Sequence, residues 1–260
     1  MTPTTPDTAS TTALITGATA GIGAEFARQL AEHGHNVVLV ARNKDRLGTK
    51  AAELEQRYSI RTEVIAADLT DDAGVAAVVE RLSDPTRPVG ILVNNAGIGL
   101  LHSFEQNDVS EEKQHLKLHV ETALELTHAA LQGMLARRSG RIINVASVAA
   151  FASNGTYSAA KAWLLGFSRW ANVAYSARGV KVTAVCPGFT HTEFHERMGM
   201  DKTMVPRWMW LEVRRVVSEG LADNQRGKAV SIPSRRYKVL VAALQFLPAR
   251  VTAVRPRRAK

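Results

Sequence analysis

Residues 13–23 read Ala13-Leu14-Ile15-Thr16-Gly17-Ala18-Thr19-Ala20-Gly21-Ile22-Gly23. A short apolar run enters a turn whose glycines are spaced G-x-x-x-G-x-G and leaves it as a helical pattern. Glycine belongs where a backbone turns sharply, or where a phosphate must approach main-chain amides with no Cβ in the way. The helix start that follows supplies unpaired N–H groups and the positive end of a helix dipole, which together make an anion site. The spacing differs from G-x-G-x-x-G, and no Gly-Lys-Ser/Thr follows to make a P-loop. Taken alone, the turn also reads as a plain strand-to-helix connection.

Outward from this turn the same rhythm repeats. Continuous apolar or β-branched runs at 13–16, 36–41, 63–66, 91–94, 141–146 and 181–186 predict strands, and 227–233 reads as one more. Helical patterns at 22–33, 45–58, 71–82, 110–137 and 156–178 separate them. The strand runs do not alternate with polar residues, as expected of strands covered on both faces. Repeated strand–helix alternation predicts an α/β fold, a single Rossmann-like doubly wound parallel sheet with helices on both faces. Residues 13–233 are expected to form that domain. Residues 1–12, rich in Thr and Pro, are expected to be disordered, and 193–225, carrying Trp208, Trp210 and several methionines, to be a substrate lid. That segment reads equally as ordinary packing.

The chain of 260 residues is 45% hydrophobic and 22% charged, which suits one globular domain with a substantial core and excludes collagenous or wholly disordered chains. The single cysteine, Cys186, can neither form an internal disulfide nor build a cysteine metal site, and no metal is expected. No apolar run approaches membrane-spanning length and no leader pattern opens the chain, so a cytoplasmic protein is expected. The net charge of +9 resides in 235–260, which holds eight basic side chains and no acidic one; taking the eight from 33 leaves 25 against 24 acidic residues. Residues 234–260 therefore read as a basic C-terminal helix and tail, either solvated or held against an anionic membrane surface. Nucleic acid is not expected, because no reader fold or stacking platform accompanies the tail.

The second strand bears on cofactor choice. An NAD-binding fold usually ends this strand with an acid that accepts the ribose hydroxyls. Here it ends Val40-Ala41-Arg42-Asn43. Arg42 can pair with a 2′-phosphate through a charge-assisted fork, which favours NADP(H), although a surface helix also begins with such residues.

Further pieces follow in order: Asp68-Leu69 after the third strand, Asn94-Asn95-Ala96-Gly97 after the fourth, and Ser147 at the end of the fifth. Then come Tyr157-Ser158-Ala159-Ala160-Lys161 and, after the sixth strand, Pro187-Gly188-Phe189-Thr190-His191-Thr192. With the glycine turn, this ordered set resembles the short-chain dehydrogenase/reductase family of the compact type, over roughly 13–192. Tyr157 and Lys161 lie four apart, on one face of a predicted helix. A nearby ammonium favours the phenolate, so Tyr157 can serve as acid in reduction and base in oxidation. Ser147 would hold the carbonyl oxygen, and the hydride would come from the cofactor. The resemblance implies that Gly17, Thr19, Gly21, Ile22 and Gly23 cradle the pyrophosphate. It places Arg42 and Asn43 at the adenosine ribose, Asp68 and Leu69 beside the adenine, and Asn95 on the adenosine side. Thr190 and Thr192 fall at the nicotinamide end, with Lys161 on its ribose.

Two departures stand out. The family usually carries an Asn on the long helix that completes a proton relay; this chain has His119 there, which either sustains the relay or is an ordinary helix histidine. Ser147 and Tyr157 are ten apart rather than the common thirteen, and Ser153 is a weaker alternative to Ser147. The leading expectation is an NADP-dependent oxidoreductase interconverting a carbonyl and a secondary alcohol on a hydrophobic, lipid-, steroid- or polyketide-like substrate. The alternatives are a non-catalytic dinucleotide-binding sensor or scaffold on the same fold, or a membrane-surface module. A homo-oligomer, dimer or tetramer, contacting through the 110–137 and 156–178 helices, is implied by the family.

Overall fold

The computed structural model describes residues 11–100, 102–194 and 205–245. The strands are β1 (Thr12–Thr16), β2 (Asn36–Ala41), β3 (Thr62–Ala66), β4 (Val89–Asn94), β5 (Gly140–Val145), β6 (Val180–Val185) and β7 (Val230–Ser231). They form one parallel sheet in the order β3-β2-β1-β4-β5-β6-β7. Parallel neighbours cannot be joined by hairpins, so helices carry the chain back across the sheet. These are α1 (Gly21–Glu32), α2 (Lys44–Tyr58), α3 (Asp72–Ser83), α4 (Val109–Leu116), α5 (Thr122–Ala136), α6 (Gly155–Tyr175) and α7 (Val213–Gln225); α8 (Arg235–Gln245) follows β7.

Each strand feeds two cores. Leu14, Val38, Val40 and Leu92 pack with Val75 and Val78 of α3 and with Leu126 and Met134 of α5. Their sequence neighbours Ala13, Ile15, Val37, Leu39, Ile91 and Val93 face the other way, against Phe26 and Leu30 of α1, Leu47 and Leu54 of α2, and Val217 and Leu221 of α7. Side chains alternate between the faces of a strand. A strand buried on both faces must therefore be apolar at every position, which is why these runs were readable without alternation.

After β1 the chain winds to one side through β2 and β3, then crosses back to lay β4 on β1's other edge. That reversal opens a crevice beyond the carboxyl ends of β1 and β4, where ligands bind in such sheets. A buried polar chain pins the helices that flank it. Asn94 Nδ2 donates to Asn144 Oδ1 (2.9 Å) and to Thr127 Oγ1 (3.0 Å), Asn144 Nδ2 donates to Ser168 Oγ (2.9 Å), and Ser168 Oγ donates to the Leu164 carbonyl (2.7 Å). Strands β4 and β5 are thereby fixed to α5 and α6.

Several boundaries differ from the sequence reading. Thr12 already belongs to β1, and residues 1–10 of the expected disordered segment lie outside the described residues. β4 starts at Val89, and β7 is two residues of the expected seven. The helix expected over 110–137 is α4 and α5 joined by a π-helical turn, Lys117–Glu121. In the expected lid, 195–204 lie outside the described residues. Residues 213–225 are α7, whose Val217 and Leu221 are core, so that part of the expected lid is ordinary packing, while Glu193 and Phe194 line the crevice. Of the basic tail, 246–260 lie outside the described residues.

Candidate active site

The glycine turn closes against β4. Gly17 has φ +68°, and a Cβ there would lie 2.8 Å from Asn95 Nδ2, so only glycine fits. Asn95 Nδ2 in turn donates to the Thr16 carbonyl (2.9 Å), while Thr16 Oγ1 accepts from Asn95 N and Ala96 N (2.9 and 3.0 Å). The Asn95 amide thus ties the ends of β1 and β4 together. Helix α1 begins at Gly21 after Ala20, which has no side-chain cap, leaving its first N–H groups to be satisfied from outside the helix.

A cleft of about 610 Å³ runs over the carboxyl ends of the strands. Every site residue named from the sequence lines it except Gly23, which is buried against the Gly17 carbonyl. At the adenosine-side end, Asn43 caps α2 by accepting from Arg46 N (2.8 Å). The Arg42 guanidinium stands 3.9 Å from Asp68 and is 68% exposed. Burial alone would raise the Asp68 carboxyl, but hydrogen bonds from Thr70 and the Arg42 charge hold it below the usual range. The sequence reading missed Arg46, which also lines the cleft and reaches Glu193 (3.3 Å) across its mouth. Its position four after Arg42, on the first turn of α2, was the available signal.

At the other end, Ser147, Tyr157, Lys161 and His119 converge from β5's end, α6 and the π-turn. Ser147 is in the cleft wall and Ser153 is not. The Ser147 hydroxyl accepts from Ala149 N (3.1 Å), an arrangement made by the 3₁₀ turn Val148–Phe151 that fills the shortened connection to α6. Lys161 is buried and donates to the Val145 carbonyl (2.8 Å), and its ammonium lies 5.7 Å from the Tyr157 ring centre. Burial pushes the Tyr157 phenol up to about 12, against a weaker pull from the Ser147 hydroxyl, and pushes Lys161 down to about 8. Burial therefore dominates the phenol, in the direction opposite to the lowering the sequence reading expected, and Tyr157 keeps its proton at neutral pH.

His119 sits on the π-turn, buried, with Nε2 2.8 Å from the Ile98 carbonyl and 3.2 Å from the Ile98 N–H. Burial, with the Lys161 charge and His115, holds it well below the ordinary histidine range. Beside it lies a cavity of about 10 Å³, lined by Thr16, Asn94, His119 and Lys161 among others. That is about one water's probe volume, and Asn94 Oδ1 and His119 Nδ1 are buried without partners.

The outer wall is built by the Pro187–Thr192 turn. Thr190 Oγ1 donates to the Gly188 carbonyl (2.9 Å) and is buried; Thr192 lies against Gly21. A Cβ on Gly188 would meet the Tyr237 ring at 2.0 Å. Tyr237 Oη accepts from Phe189 N (3.1 Å) and donates to the Met209 carbonyl (2.8 Å), so α8, expected as part of a tail, is stitched to the site. Cys186, buried, has its thiol pushed up to about 12 by burial, which suits a small core side chain.

A Rossmann-type sheet with this glycine turn and cleft defines a nicotinamide-dinucleotide oxidoreductase. The short chain dehydrogenase family profile matches residues 11–203, and the chain belongs to that family. It is 35% identical over 189 residues to Oxidoreductase UcpA of Escherichia coli K12, covering 71% of each chain. Among solved structures it is similar to a short-chain dehydrogenase from Sphingobium yanoikuyae in complex with NADPH (35% identity, TM-score 0.82, 96% of this chain and 98% of that one). It is also similar to the bulky-bulky ketone specific alcohol dehydrogenase from Comamonas testosteroni (32% identity, TM-score 0.77, 96% and 97%).

Proposed function

We propose that the chain is an NADP(H)-dependent reductase of bulky, apolar ketones, running the reverse alcohol oxidation through the same groups. One observation carries the reading: a proton-holding Tyr157 beside Ser147, Lys161 and His119 closes one end of the cleft whose other end carries Arg42. Bound NADPH would supply a hydride to the carbonyl carbon. Gly17, Thr19, Gly21 and Ile22 would hold its pyrophosphate, aided by the uncapped start of α1. Arg42 and Asn43, with Arg46, would take the 2′-phosphate, and Asp68, Leu69 and Asn95 the adenosine. Thr190, Thr192 and Lys161 would hold the nicotinamide half.

Ser147 orients the substrate oxygen, and Tyr157 Oη gives it the proton. Lys161 stabilises the phenolate left behind, and His119, with a water in the adjoining cavity, relays a proton back. The substrate class rests on the apolar side chains of Ile98 and Phe194 in the cleft wall, and on the bulky ketones named for the Comamonas relative. The sensor alternative rests on His119, and a histidine that retains both donor and acceptor capacity weakens it.

Titration with NADPH and NADH tests the cofactor: NADPH should bind at least about tenfold tighter, ~1.4 kcal/mol, and Arg42→Ala should remove the difference. Tighter NADH would overturn the assignment. Tyr157→Phe should abolish reduction of an aryl ketone such as propiophenone while leaving NADPH affinity within about twofold. A homo-oligomer is proposed on α6, where Trp170 is 56% and Val173 79% exposed and the Trp163, Phe167 and Trp170 rings follow one another. Light scattering on eluted protein should give a multiple of the chain mass, and the monomer mass would remove that proposal.

A further inference from the structure

We propose that Glu112 and His115 extend the His119 relay into a proton path, running along one face of α4 and the π-turn from the protein's edge to Tyr157. The inference rests on the reductase reading given above. Glu112, His115 and His119 are spaced three and four apart, so successive side chains lie one above the next. All three are buried, at 9%, 1% and 3% exposure. The two imidazole centroids are 4.5 Å apart, tilted by 48°, and both rings lie against Tyr157, at 5.9 Å from His115 and 5.7 Å from His119.

Each member also carries a buried polar atom with no partner: Glu112 Oε2, His115 Nε2 and His119 Nδ1. Buried polar groups normally find partners, and an apolar core would fill this space without leaving three of them unmatched. His119 is built for transfer. Its Nε2 has the Ile98 carbonyl and the Ile98 N–H within reach, so that nitrogen is satisfied whether it carries the proton or not. The ring can therefore take up a proton at Nδ1 in one tautomer and release one there in the other. Glu112 is held at the outer end by Asn107, whose Nδ2 donates to Oε1 (2.9 Å). Burial lowers the proton affinity of His115, the Glu112 charge opposes that, and Lys161 adds to it. Both rings are thus neutral in the resting protein, able to accept one proton and release another. A metal site is not an alternative, because among the described residues no three His, Cys, Asp or Glu side chains converge on a point.

During ketone reduction, the Tyr157 O–H bond breaks and the proton joins the substrate oxygen. The phenolate regains a proton through Lys161 and the cavity from His119. The Glu112 carboxylate takes a proton from solvent and hands it to His115, which passes it to His119 Nδ1, restoring the proton that His119 has given toward Lys161. Each transfer breaks one O–H or N–H bond and forms one, and the net uptake is a single solvent proton.

His115→Phe keeps a ring against Tyr157 and removes both nitrogens; Glu112→Gln keeps the Asn107 bond and removes the exchangeable acid. For NADPH-dependent propiophenone reduction, each should lower kcat by about tenfold or more while the substrate KM and the NADPH Kd stay within about twofold. The solvent deuterium isotope effect on kcat should rise in both. A purely packing role would move affinities and stability together and leave that isotope effect unchanged. The second readout needs no turnover: in histidine-labelled, ligand-free protein, hydrogen–nitrogen correlation spectra should show His119 exchanging between tautomers, and His115→Phe should fix it in one. Unchanged kcat, isotope effect and His119 signals in the variants would overturn the path. If wild-type protein binds NADPH but reduces no ketone, the reductase reading fails, and the spectra alone decide the path. If His115→Phe does not fold, Glu112→Gln carries both measurements.

Discussion

Lys161 shows how one residue's surroundings set the working pH. It is buried, donates to the Val145 carbonyl, and desolvation pushes its ammonium down to about 8. A lysine with a lowered pKa is charged below that value and neutral above it. If the ammonium stabilises the Tyr157 phenolate, reduction should be supported below about pH 8 and lost as pH rises through it. A kcat/KM profile for NADPH-dependent reduction, from about pH 6 to about pH 10, should bend downward near pH 8; a flat profile would sink this role. Tyr157 and Lys161 were legible because sharing one helix face fixes their spacing at four, and Ser147 because it ends the fifth strand run. Arg46 and His115 were less so, since they are tied to this region by Glu193 and by Tyr157, far away in sequence, and only Arg46's place four after Arg42 hints at it.

Among elements, the strands were legible and the long helix was not. Burial on two faces writes itself into a strand as an unbroken apolar run, so six strands were placed to within two residues. The π-turn at Lys117–Glu121 leaves almost no trace, because one extra residue barely disturbs a helical pattern. Yet it is this turn that carries His119 toward Lys161. The turn's surroundings are held by the Asn94–Asn144–Ser168 chain, which was invisible for the same reason: its members are polar residues at positions read as core. Asn144→Ala should remove one of the two acceptors of Asn94 Nδ2 and the donor to Ser168 Oγ, leaving buried polar groups short of partners. Stranded buried polar groups cost ~1–3 kcal/mol each. The expected loss is about 3 kcal/mol, and thermal unfolding should move down by roughly 5–10 °C. A shift under about 2 °C would mean that water replaces the lost partners.

For the whole molecule, the question is whether the basic C-terminal segment is a separate appendage. The sequence marks it by charge alone, and a boundary near 234 follows naturally. The packing puts the boundary later. Tyr237 fills the space over Gly188 and bonds to Phe189 N and the Met209 carbonyl, while Ser234 N donates to Glu219 Oε2 (3.0 Å). The outer side of α8 is different: Arg235, Arg236 and Lys238 are exposed beside Val239, itself 71% exposed. No helix among the described residues is long and apolar enough to cross a membrane. These two sides call for two truncations. A chain ending at 234 should lose thermal stability and bind NADPH more weakly by about tenfold, because the Pro187–Thr192 wall loses its backing. A chain ending at 245 should keep both. If the remaining 246–260 segment is a surface anchor, the 245 truncation should also stop co-sedimenting with phosphatidylserine-containing vesicles that retain the full chain. Equal retention of the two would assign the five basic residues beyond 245 to solvent, and equal cofactor affinity in the 234 truncation would remove α8 from the site.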